Sequence, residues 1–270
     1  MNRKNHINPK IVLCLVATSF IACVAIILII QNSKNHISLS SVSQDGVKAI
    51  QLMEARPIAP IEDEIFQLQR QEIIRKLTED PSRVFQTLAD VNTVIIGDSR
   101  VVGFSAYNCM DESRILAGTS WSILELPAVF YAVTSINPRY IVVAFGINEI
   151  SQHLGTPVYF NTDESYVEAL DYYLGMLQEC APNAKIYYSS ILPASEEGLA
   201  SMDGFRIIPE RNNAIHAFCE EKGYGFINTE EIAYEHQEMY REDGIHFTAD
   251  FYPLWGEAIL SEIIRTGGVV

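Results

Sequence analysis

The chain has 270 residues, 48% apolar and 20% charged, with 34 acidic against 19 basic side chains and a formal net charge of −15. This composition excludes a disordered chain and is rich enough in apolar residues for a packed core in one or two domains. The acidic balance excludes the basic face that a nucleic-acid partner requires, so no such partner is expected, and its plain reading is a solvated acidic surface.

Residues 11–30, IVLCLVATSFIACVAIILII, contain no charged side chain. At 1.5 Å per residue the run is long enough to cross a bilayer core of ~30 Å. Arg3, Lys4, His6 and Lys10 precede it, and Lys34 is the one Lys or Arg close behind. That bias predicts a transmembrane signal anchor with residues 1–10 cytoplasmic and the remainder extracytoplasmic. A cleaved signal peptide is the competing reading, but its apolar region is usually ~7–15 residues long and ends at a small-x-small site. Here the run is longer and leads into Gln31-Asn32-Ser33. Cys23, in Ile21-Ala22-Cys23, is followed by seven more apolar residues, the wrong context for a lipoprotein site.

Residues 31–56 mix Ser, Asn, Gln and Gly without periodicity and read as a linker. Residues 57–90 read as a helical stalk or packing helices. Ile61, Ile65, Phe66, Leu68 and Ile73 recur at helical spacing, with Glu62, Asp63 and Glu64 early and Arg70, Arg75 and Lys76 late. This order of charge complements a helix dipole. Pro81 ends that helix or opens a second one running through Leu88.

From residue 91 short apolar runs alternate with helical patterns. Strands are expected at Thr93–Ile96, Arg114–Ala117, Tyr140–Phe145, Lys185–Leu192 and Gly225–Ile227. Helices are expected at Trp121–Ser135, Glu164–Glu179, Pro209–Lys222 and Asp250–Ile264. Strands such as TVII and YIVVAF are apolar on both faces, as in a sheet covered on each side. The pattern predicts a three-layer α/β/α sandwich around a mainly parallel five-stranded sheet in one domain over residues 91–270. Outside the anchor, Cys109, Cys180 and Cys219 lack the paired spacing of a disulfide framework or a zinc site and read as buried thiols, with a single bridge between two of them as the alternative.

Polar residues gather where strands end, the place at which doubly wound sheets bind ligands. Gly97-Asp98-Ser99 follows the first strand, and it reads either as an Asp/Ser helix cap or as a nucleophile held at a helix start. Gly118 follows the second strand, as an ordinary turn or as a close-approaching amide donor. Asn148, after the third, has an amide NH₂ suited to an oxyanion, although Asn is also common in turns for local reasons. Asp243-Gly244-Ile245-His246 precedes the last helix, and an Asp three residues before a His can orient an imidazole as general base. His153, His216 and His236 have no such partner, and no histidine spacing suggests a metal.

In this order the four blocks closely resemble the SGNH hydrolase (GDSL-like lipase/esterase) family, over roughly residues 91–265. The resemblance implies a serine esterase with Ser99 as nucleophile, His246 as base and Asp243 as its orienting carboxylate. The amides of Ser99 and Gly118 and the side chain of Asn148 would form the oxyanion hole, with Asp98 structural and no metal or organic cofactor. The family's third block usually reads Gly-x-Asn-Asp; Glu149 replaces the final Asp, which leaves the donor Asn in place but alters the bracing of its loop. Arg100 is a candidate for attracting an anionic substrate group, or else an ion-pair partner of a neighbouring acid. With the anchor, these features predict an extracytoplasmic esterase acting on acyl, foremost O-acetyl, esters, including those of glycans. Transfer of the acyl group to an envelope glycan, lipid esters as substrates, and an idle glycan-binding domain are the alternatives, and the oligomeric state stays open. No Gly-x-Ser-x-Gly elbow is present, which disfavours an α/β-hydrolase.

Overall fold

The computed structural model describes residues 46–48, 80, 83–151 and 162–266. The expected anchor, most of the linker and the helix from Ile61 lie outside them. Among the described residues, no helix is long and apolar enough to cross a membrane. The chain divides into two units, Met1–Ile61 and Glu62–Val270. Of the first, residues 46–48 are described, and they are helical.

The second unit is built on a five-stranded sheet of order β2-β1-β3-β4-β5, in which every neighbouring pair is parallel. The strands are β1 (Thr93–Gly97), β2 (Ile115–Ala117), β3 (Tyr140–Ala144), β4 (Lys185–Ser189) and β5 (Gly225–Ile227). Nine α-helices are described: α1 (Val84–Asp90), α2 (Ser99–Ala106), α3 (Phe130–Ile136), α4 (Ile147–Ser151), α5 (Asp163–Cys180), α6 (Glu196–Ser201), α7 (Ile208–Lys222), α8 (Glu230–Glu235) and α9 (Phe251–Thr266).

Alternation along each central strand feeds two cores. Val94, Ile96, Ile141, Val143, Ile186 and Tyr188 face α3, α5 and α7 through Val133, Leu170, Leu174 and Ile215. Ile95, Val142 and Tyr187 face α1, α2 and α9 through Leu88, Phe104, Trp255 and Ile259. These side chains are almost wholly buried, and each is worth ~1.5–3 kcal/mol relative to exposure. Both faces of the sheet being covered is why the strands read as unbroken apolar runs.

Most bounds shift from the sequence-based ones by one or two residues, and two elements differ further. Pro127 splits the expected helix Trp121–Ser135 into a 3-10 segment, Ile123–Val129, followed by α3; its missing N–H and its ring do not suit a continuous α-helix. The fourth strand stops at Ser189 rather than Leu192 because Asn212 of α7 takes over the backbone of Ile191, accepting its N–H at 2.8 Å and donating to its carbonyl at 2.9 Å. Of the thiols, Cys219 is buried, whereas Cys109 and Cys180 are half-buried.

Helix α2 lies so close to α9 that a Cβ on Gly103 would stand 1.8 Å from the Tyr252 hydroxyl. That hydroxyl donates to the Arg100 carbonyl at 2.8 Å, and its ring packs 5.0 Å from Phe104, so it has little room to yield. Gly103→Ala should therefore cost ~1–3 kcal/mol through overpacking, at ~2–4 °C of melting temperature per kcal/mol. Thermal unfolding checks this, and an unchanged melting temperature would refute it.

Candidate active site

The strand order changes direction between β1 and β3, and the crevice at such a switch point is the natural site of an α/β sheet. β1 ends at Gly97, where a side chain would meet the Ala144 carbonyl and Val101 Cγ2, each at 2.4 Å. Asp98 then caps α2, its Oδ1 accepting the Arg100 amide at 2.8 Å. The cap is thus made by the Asp98 side chain, and the Ser99 hydroxyl takes no part in it. The Val101 and Val102 amides go to the Asp98 carbonyl. Among the described residues, this leaves Ser99, the first N–H of the helix, without an intrahelical acceptor.

The other half of the site comes from a loop 147 residues away. Ser99 Oγ lies 2.8 Å from His246 Nε2, and His246 Nδ1 lies 2.8 Å from Asp243 Oδ2. Asp243 Oδ1 accepts the amides of Ile245 and His246 at 2.9 and 2.8 Å. Partial burial raises the Asp243 carboxyl, but those amides and the imidazole outweigh it and hold the group below its ordinary value. A persistent carboxylate fixes the useful tautomer: Nδ1–H donates to Asp243, and Nε2 accepts the Ser99 proton.

The loop is held from three sides. Thr248 donates its amide to the Met239 carbonyl at 2.8 Å, and Arg241 to the His246 carbonyl at 2.7 Å. Gly244 has φ +67, and a Cβ there would be 2.3 Å from the Gly198 amide nitrogen of α6. The Ser195 amide donates to the Gly244 carbonyl at 2.9 Å, so α6 presses its first turn directly against the loop.

On the opposite side, Asn148 Nδ2 donates to the Trp121 carbonyl at 2.7 Å, which leaves its second amide hydrogen for another acceptor. Gly118 sits beneath the Trp121 indole, where a Cβ would approach ring atoms to 2.3 Å. Its amide, expected to face an oxyanion, instead donates to the Gly97 carbonyl at 3.3 Å, a long bond that extends the β1–β2 pairing by one rung. Glu149 Oε1 accepts the Ile123 amide at 2.7 Å, while Oε2 is buried without a partner among the described residues. Burial, with a smaller push from Asp98, raises the Glu149 carboxyl to about 7, against nearby amides that favour its charge.

Arg100 does not face the crevice. It is 3% exposed, donates to the Leu192 carbonyl at 2.8 Å and stands 3.7 Å from Asp98. The ion-pair reading is therefore the one its geometry supports; contrary to the other expectation, Arg100 does not recruit an anionic group from the crevice, because the guanidinium is sealed beneath the site. Burial raises the Asp98 carboxyl, opposed chiefly by Arg100. Of the other histidines, His216 and His236 are surface groups beside Glu220 and Glu238, and His153 lies outside the described residues.

Serine, imidazole and carboxylate in series at the switch point of a doubly wound sheet define a serine hydrolase. The profile of the GDSL-like lipase/acylhydrolase family matches residues 86–254, and the chain belongs to that family as an SGNH-type enzyme acting on ester bonds. No curated protein matches the sequence. A GDSL-like lipase from Bacteroides thetaiotaomicron is similar in structure, with a TM-score of 0.50 at 15% identity over 72% of this chain and 97% of that one. A lipase/acylhydrolase from Enterococcus faecalis is similar at a TM-score of 0.50 and 16% identity, over 64% and 96% of the two chains. Both likenesses speak to the fold.

Glu149 makes a testable link between charge and stability. Its folded value of about 7 lies above the ordinary 4.5, so between these the folded chain binds more protons than the unfolded one, and stability falls as pH rises through that window. Glu149→Gln removes the titration. From about pH 5 to about pH 8 its melting temperature should gain on that of the parent protein; a difference that stays constant with pH would show that the carboxyl does not titrate there.

Proposed function

We propose that the chain is a membrane-anchored, extracytoplasmic serine esterase that removes short acyl groups, foremost O-acetyl, from glycans through an acyl-Ser99 intermediate. The observation that carries the chemistry is the 2.8 Å contact of Ser99 Oγ with His246 Nε2, with Asp243 in line behind it. His246 takes the hydroxyl proton as Oγ attacks the ester carbonyl. Negative charge collects on the carbonyl oxygen, where the Ser99 amide and the free N–H of Asn148 receive it. The Gly118 amide joins them by giving up its long bond to Gly97. Collapse expels the alcohol, which takes the proton from His246. A water then repeats the sequence on the acyl-serine, releasing the acid and restoring Ser99.

The short-acyl reading draws on Trp121, whose indole lies against Gly118 at the oxyanion side and narrows the room for a long chain there. The anchor draws on the charge-free segment 11–30 and the basic residues before it. In this proposal residues 31–56 are the linker, 57–90 the helical stalk and 91–270 the catalytic domain. Extracytoplasmic placement would put the site next to envelope and extracellular glycans, which carry O-acyl esters.

Ser99→Ala should abolish fluorophosphonate labelling and hydrolysis of small acetyl esters while leaving the melting temperature near that of the parent. A folded Ser99→Ala protein that still turns over would remove the assignment. Asn148→Ala should lower kcat ~10²–10³-fold if one oxyanion donor is lost. Trp121→Ala should shift chain-length preference on a p-nitrophenyl ester series from acetate toward longer acyl groups; an unchanged preference counts against the acyl-pocket reading. Assaying acetylated glycan with and without a glycan acceptor separates hydrolysis from transfer, and carbonate extraction of membranes tests the anchor.

A further inference from the structure

Asn148 and Glu149 are consecutive in α4, and both reach the loop that follows β2. The first donates to the Trp121 carbonyl and the second accepts the Ile123 amide, each at 2.7 Å. They therefore grip the loop on either side of Ser122, which is itself closed into a capping box with Glu125. Because a side-chain amide is planar, the direction of one Asn148 N–H fixes the direction of the other. The position of the Trp121 carbonyl thus sets where the free N–H points.

The side chain that completes the grip is an expensive choice for packing alone. Glu149 is 2% exposed, and Oε2 has no partner among the described residues. An apolar side chain of the same length would fill the space without desolvating a carboxyl. What an apolar side chain lacks is an acceptor for the Ile123 N–H. The extra methylene of Glu over Asp lengthens the reach of that acceptor from the short helix α4 to the loop.

We propose that Glu149 is a positioning residue of the oxyanion site, acting through the Ile123 amide and the Trp121 carbonyl to keep the free N–H of Asn148 aimed at the reacting carbonyl oxygen. The inference rests on the reading of Asn148 as an oxyanion donor. Its consequence is a specific coupling: removing the acceptor at 149 matters because of Asn148, and should matter little once Asn148 has lost its amide.

The test compares Glu149→Gln, which keeps an acceptor oxygen, with Glu149→Met, which keeps length but has no carbonyl acceptor, each with and without Asn148→Ala. On a p-nitrophenyl acetate assay, Glu149→Met should lower kcat ~10–100-fold with KM within about twofold, as expected when aim rather than binding is lost. Glu149→Gln should recover most of that loss. Adding Glu149→Met to Asn148→Ala should lower kcat by no more than about twofold further. If the Met protein does not fold, Glu149→Ala takes its place in the cycle. Losses that multiply in the double variant, or a Gln variant as damaged as the Met one, overturn the inference while leaving the oxyanion reading intact. An Asn148→Ala protein with unchanged kcat overturns both.

Discussion

The contact between Ser99 Oγ and His246 Nε2 joins the start of the sheet to the last loop of the chain, and most of the architecture is arranged around keeping those two atoms in line. Ser99, the proposed nucleophile, is held by β1 and α2, which share a buried cluster with Tyr252 and Trp255 of α9. His246, the proposed base, is held by a loop whose amides close on Asp243, whose backbone is bridged to Met239, and whose glycine accepts the direct approach of α6. A proton moves between these atoms only at hydrogen-bond reach. A displacement of ~1 Å on either side is therefore costly to the reaction, even where it is harmless to the fold. That asymmetry accounts for glycines at Gly97, Gly198 and Gly244, where any side chain would force backbone apart.

Charge beneath the crevice serves the same end. Asp98, Arg100 and Glu149 are all nearly inaccessible, yet none of them belongs to the Ser–His–Asp series. Arg100 ties the segment after β4 to α2 through the Leu192 carbonyl and partly compensates Asp98. Asp98 caps the helix that starts at Ser99. Buried ions are poor sources of net stability, because desolvation offsets most of their attraction. They do select one arrangement of the segments they join, since any slip strands a charge or an N–H in a dry interior. Burial raising the Glu149 carboxyl above its ordinary value is one sign of that trade.

The parallel sheet was legible in the sequence because its signal is physical and local: unbroken apolar runs alternating with helical periodicity. Ser99, Asp243 and His246 were legible through the order of short motifs, and the structure brings the three together within hydrogen-bond reach. Other features depend on partners far away in the chain. Nothing around Asn212 announces that its amide captures the Ile191 backbone and ends β4 early. The support that Ser195 and Gly198 give the Gly244 loop exists only in three dimensions. Pro127 carried a readable warning, since a proline inside a predicted helix is a reason to divide it. Arg100 illustrates the limit differently: its position beside the nucleophile invited a substrate role, and only its burial beneath Leu192 decides for the ion pair.

The two walls of the proposed oxyanion site are unequally prepared. Ser99 leaves its amide without an intrahelical acceptor because the helix begins there, so that donor costs no rearrangement. Asn148 presents one N–H because the other is already spent on Trp121. Gly118 alone must exchange a partner, and what it gives up is a neutral bond of 3.3 Å at the end of a strand pair. A hydrogen bond to a full oxyanion is roughly twice as strong as a neutral one. The exchange is therefore unfavourable or indifferent toward an ester carbonyl and becomes favourable only as charge develops. A contact made in the transition state but not in the bound substrate raises kcat rather than tightening KM. In the proposed mechanism the committed amide of Gly118 is accordingly part of how the crevice distinguishes the reacting ester from the resting one.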